Sequence, residues 1–140
     1  MKLLTGILLI VLALAIGIVP LFTDCLANGR SLTTTDGKVV PMKCHWTALA
    51  EIGIAIPLGL VGIFNITSKR KETLRTLSGF GGTLGLLAVL FPTVLIGVCA
   101  NPAMPCNMIE EPLLIMSGIL VMAVSLVILV NSRKVMEPAL

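Results

Sequence analysis

The chain has 140 residues, 56% of them apolar and 12% charged, with a formal net charge of +3. A soluble domain averages roughly 45–50% apolar and about 25% charged. The composition therefore excludes a water-soluble globule, a nucleotide-binding domain, a soluble enzyme and a disulfide-knotted secreted peptide, and it specifies one integral membrane domain over residues 1–140.

A helix needs about 20 mostly apolar residues to cross roughly 30 Å of hydrocarbon. Four stretches meet that length, at about 3–22, 46–66, 77–98 and 112–130. Backbone polar groups in lipid must be satisfied within the segment, so the fold class is all-α: an integral membrane four-helix bundle. Lys2 and Ala13-Leu14-Ala15 also resemble a secretory signal with its cleavage site. The apolar run continues to Phe22, beyond such a core, and is read as an uncleaved first span.

The connections set the orientation. Lys2, Lys69, Arg70, Lys71, Arg75, Arg133 and Lys134 fall on one side, and only Arg30, Lys38 and Lys43 on the other. Positive residues accumulate in the cytoplasm, so both termini and the 68–75 connection are expected there. The loops at about 23–45 and 99–111 then face outward. The positive charge marks topology and calls for no nucleic acid.

Within the spans, Gly81 and Gly85 (with Gly79 and Gly82 beside them) and Gly59 and Gly62 offer small surfaces for close helix packing. Pro57 and Pro92 are expected to kink their helices. Pro112 suits a helix start, and Glu110 and Glu111 suit the positive end of that helix.

All four cysteines, Cys25, Cys44, Cys99 and Cys106, fall in the outward loops, where disulfides persist. The simplest pairing staples each loop on itself, as Cys25–Cys44 and Cys99–Cys106; an inter-loop pairing is the other option. The same loops gather Met42, Cys44, His45, Met104, Cys106 and Met108, soft donors that suit copper, with zinc or haem as further occupants. Metal and disulfides would compete for the same sulfurs. Neither a CxxC nor a haem-attachment motif is present, and no cofactor follows from spacing alone.

Glu51 is the one acidic residue inside a span. Such groups are costly and usually functional. With His45, Thr47 and Thr93 it outlines a candidate outward-open polar pocket.

The runs Met42-Lys43-Cys44-His45-Trp46-Thr47-Ala48 and Ala50-Glu51-Ile52-Gly53 resemble those of a family of small bacterial four-helix membrane proteins of unknown function. Pro92 to Cys99 and Met104-Pro105-Cys106 extend the resemblance, which covers about 5–131. It implies four spans in a bacterial plasma membrane and, as partner, an ABC-type export system. The leading expectation is a non-enzymatic accessory subunit embedded in the bilayer beside a transporter permease. The alternatives are an outer-face copper or haem protein and a membrane thiol–disulfide oxidoreductase. The last is similar in topology to quinone-linked disulfide-forming enzymes, but its cysteines lack their Cys-x-x-Cys spacing.

Overall fold

The computed structural model describes residues 2–26 and 28–134, with the side chains of Arg133 and Lys134 excepted. The expected positions of the termini themselves, and the limits 1 and 140, lie outside the described residues. The chain is mostly helical: α1 Lys2–Thr23, α2 Lys43–Thr67, α3 Lys71–Leu90 and α4 Glu111–Lys134, with a small hairpin of β1 Leu32–Thr33 and β2 Val39–Val40. All four helical segments are long and apolar enough to cross a membrane.

Packing follows an up-down order. Gly6 of α1 abuts Gly62 and Ile66 near the far end of α2, and Gly81 and Gly85 of α3 abut Ser125 and Gly118 of α4. α1 therefore lies antiparallel along α2, and α3 along α4, the two pairs meeting around one apolar core. That core is built from Leu9, Leu12, Ile16, Ile54, Leu58, Leu84, Leu114, Val121 and their neighbours. Leu4, Phe22, Ile56 and Leu126 point outward, as a lipid-facing surface requires.

Glycines make the tightest contacts. A Cβ on Gly118 would sit 2.7 Å from the Gly85 carbonyl oxygen, and one on Gly85 would sit 2.9 Å from that of Gly118. Gly62 meets Gly6 the same way, with its Cβ position 3.0 Å from the Gly6 oxygen. Of the glycines singled out from sequence, Gly79 faces open space. Gly6 and Gly118, the partners on α1 and α4, carry no small-residue repeat that would have marked them.

Helix boundaries depart from hydropathy where polar residues continue the helix. α3 starts at Lys71 rather than 77, because Lys71, Glu72 and Arg75 extend it beyond its apolar stretch. Its end is a wide turn, Phe91–Leu95, containing Pro92. Proline lacks the N–H that would bond four residues back, and widening the turn accommodates that loss. Gly97, at φ +80°, then ends the segment. The last span begins six residues before Pro112, with a second wide turn, Cys106–Glu110, leading directly into α4. This early start draws Cys106 and Glu110 out of the loop and onto a helix.

Candidate metal centre

Four chain segments converge at the hairpin end of the bundle. Cys25 follows α1 directly, in a turn closed by Arg30 N–H to the Cys25 carbonyl at 2.8 Å. Cys44 lies in the first turn of α2, and Cys106 opens the turn that leads into α4. Both thus sit at helix N-termini. Cys99 arrives from the loop after Gly97, held by the Asn107 amide donating to the Cys99 carbonyl at 3.1 Å. The positive φ of Gly97 turns its own carbonyl toward α2, where the Thr47 hydroxyl donates to it at 2.8 Å.

The result is a sulfur cluster. The Sγ atoms of Cys25, Cys44, Cys99 and Cys106 all lie within 4.8 Å of one another. Cys44 and Cys99 are 3.2 Å apart, Cys25 and Cys106 3.4 Å, and Cys25 and Cys99 3.6 Å. Met42 brings its thioether 3.8 Å from Cys99, and Met104 packs against the group. Cys25, Cys44 and Cys106 are buried, and Cys99 is half-buried.

The structure does not show the two expected loop-closing disulfides: none of the four sulfurs stands at bonding distance from another. A disulfide needs sulfurs about 2.05 Å apart, and these sulfurs keep ordinary contact distances. The closest contacts, moreover, run between loops rather than within them. The reason is tertiary: α1–α2 and α3–α4 pack as two hairpins, whose outer ends bring one pair of cysteines against the other.

Proximity sets the thiols apart chemically. Burial pushes the Cys25 thiol far up, and its contacts with Cys44, Cys106 and Cys99 push it further. At Cys99 burial also raises, but hydrogen bonding from the Cys44, Cys25 and Cys106 thiols outweighs it and leaves this thiol below its ordinary value. Cys99 is therefore the first of these two to carry a negative charge.

Beside the sulfurs lies a polar group that sequence reading resolved only in part. His45 Nδ1 meets Asp24 Oδ2 at 2.7 Å, and His45 stacks edge-on against Trp46 with ring centroids 5.9 Å apart. The imidazole thus serves Asp24 and stands outside the sulfur cluster. Met108 is 67% exposed and also stands outside it. Of the donors expected to gather, Met42, Cys44, Met104 and Cys106 do so; Cys25 and Cys99 complete the set.

The four residues of the expected pocket divide likewise. Thr47 and Glu51 are wholly buried. Thr93 is exposed and its hydroxyl donates to Val89 of its own helix at 2.7 Å, which is how a lipid-facing threonine satisfies itself. Glu110, expected to cap a helix end, is instead fully buried and accepts the Thr23 hydroxyl at 3.1 Å. Its spacing of four from Cys106 was the available signal, hidden because that stretch reads as loop.

A family model described as a domain of unknown function (DUF4418) matches residues 3–131. The chain belongs to this family. No curated protein and no solved structure matches it. The match embraces every member of the sulfur cluster, together with Asp24, His45, Glu51 and Glu110, so the whole centre lies inside the family's domain.

Proposed function

We propose that this protein is a multi-pass membrane protein that holds a single thiophilic metal ion at its outer face, with Cys25, Cys44, Cys99 and Cys106 as ligands. The observation that carries this reading is the mutual approach of the four sulfurs to within 4.8 Å. Four thiolates about 2.3 Å from a tetrahedral zinc ion would lie about 3.8 Å from one another. The spacing suits one ion; a polynuclear iron–sulfur cluster would hold its cysteines farther apart. All-sulfur tetrahedral ligation selects zinc or iron and suits Cu(I) as well. The Met42 thioether beside Cys99 adds a soft contact at the edge of the site.

Four thiolates and one divalent ion leave excess negative charge, which the helix N-termini at Cys44 and Cys106 offset. A closed four-ligand site leaves no open position for substrate, so its role is to tie the two hairpins together at their loops. In the orientation set by the basic residues, the centre faces away from the cytoplasm of a bacterial plasma membrane. An accessory role beside an ABC-type permease is compatible with such a tied scaffold.

The test is metal analysis of the full chain, purified anaerobically in mild detergent without added metal. About one equivalent of a thiophilic metal is expected, falling at least tenfold in Cys44→Ser. Metal-free protein that also refuses added Zn²⁺ and Cu(I) would overturn the reading. So would a mass deficit of two hydrogens at each of Cys44–Cys99 and Cys25–Cys106, since oxidised sulfurs cannot serve as ligands. The same preparation reads the accessory role through a stoichiometric membrane partner.

A further inference from the structure

Below the sulfur centre lie two carboxyls that a metal at the thiols would not use. Glu51 follows Cys44 by seven residues on α2, and Glu110 follows Cys106 by four. Both spacings return a helix to the same face. At 1.5 Å per residue Glu51 lies about 10 Å further into the bundle than Cys44, and Glu110 lies one wide turn further in than Cys106. Both side chains are 0% exposed.

Their surroundings leave most of the oxygens without partners. Neither oxygen of Glu51 has a hydrogen bond among the described residues, nor does Oε1 of Glu110. Oε2 of Glu110 accepts from Thr23, whose hydroxyl also faces the Val19 carbonyl at 3.0 Å. The Glu51 and Glu110 carboxyls stand within electrostatic reach of each other, and Asp24 within reach of Glu110.

Among the described residues, no cation pairs with them. From α1 come Thr23 and Asp24, the latter tied to His45; from α2 come Cys44, His45 and Thr47. The loops bring Cys25 and Cys99, the turn into α4 brings Cys106, and Glu111 follows Glu110 in sequence. α3 and its terminal turn carry no charged residue after Arg75, and Lys43 lies exposed at the outer start of α2. Two ionised carboxylates in such a setting would each lose their hydration and repel one another. Carboxyl pairs that share a site avoid this by retaining a proton.

We propose that Glu51 and Glu110 form a proton-binding acid pair inside the bundle, holding a proton between them at neutral pH. One proton held by the pair leaves a single negative charge in place of two and removes the repulsion. The site is separate from the thiols and stands whether or not they hold a metal. Its ligand is the proton; a metal cation between the carboxylates is the rival occupant.

Infrared spectroscopy of the full chain in lipid nanodiscs tests this. At pH 7 the wild type is expected to show the C=O stretch of a protonated carboxyl, moved by deuteration and by ¹³C-glutamate labelling. In Glu51→Gln/Glu110→Gln the band is expected to fall to background while the helical amide bands remain. Only ionised carboxylate bands at pH 7, a band that glutamate labelling leaves in place, or a band that survives in the folded double variant would each overturn the proposal. Should the double variant fail to fold, the labelled wild type decides alone.

Discussion

The two ends of the bundle are held by different physics. At the basic end, where Lys2 and the Ser68–Arg70 connection lie, α1 and α2 close on backbone-to-backbone contact at Gly6 and Gly62, and the polar groups pair locally, as Asn65 does with Thr5 at 3.1 Å. At the hairpin end, buried sulfur and carboxyl groups take the place of close-packed apolar side chains. Membrane helices gain nothing from the hydrophobic effect against one another, since lipid is as apolar as leucine. Close contact does the work at one end. At the other, the two acids are costly to bury unless something binds them, while the thiols bury readily and are gathered to one point. That contrast is why function is sought at the hairpin end.

The contrast can be broken most severely by stripping the sulfur centre. If the proposed ion is bound, chelation, or acid, which protonates the ligands, is expected to release it and untie the 24–42 and 96–105 loops. Limited proteolysis should then cut these loops while circular dichroism stays helical. In the stripped protein at mildly alkaline pH, a maleimide is expected to modify Cys99 well before Cys25. The lowered Cys99 thiol is ionised at a pH where the raised Cys25 thiol keeps its proton, and only the thiolate reacts. Equal rates at the two, read by peptide mass, would remove that asymmetry.

A pair of glycine substitutions probes the helix contacts. Gly118→Val places new atoms against the Gly85 carbonyl and is expected to cost about 1–3 kcal/mol in detergent unfolding. Gly79→Ala meets nothing within 4 Å and is expected to be neutral or to stabilise by up to about 1 kcal/mol through helix propensity. The smallest effect separates two threonines. Thr47→Val removes the hydroxyl that holds Gly97 and leaves a part-buried carbonyl without this partner, costing about 1–2 kcal/mol. Thr93→Val changes a lipid-facing residue and is expected to stay within about 0.5 kcal/mol.

Hydropathy alone located four spans, because crossing a bilayer imposes length and apolarity on each segment independently of its neighbours. Charge counting assigned the connections to two sides for the same reason. Residues whose roles depend on a partner escaped. Gly118 matters because Gly85 opposes it, and Glu110 is buried because a wide turn carries the helix back past Pro112. The four cysteines were visible as two sequence-local pairs, and local spacing suggested two local staples. Only the packing of the two helical hairpins brings Cys44 to Cys99 and Cys25 to Cys106. Composition and hydropathy determined the four span-like segments. Tertiary structure decided which sulfurs meet, since those contacts join residues more than 50 positions apart.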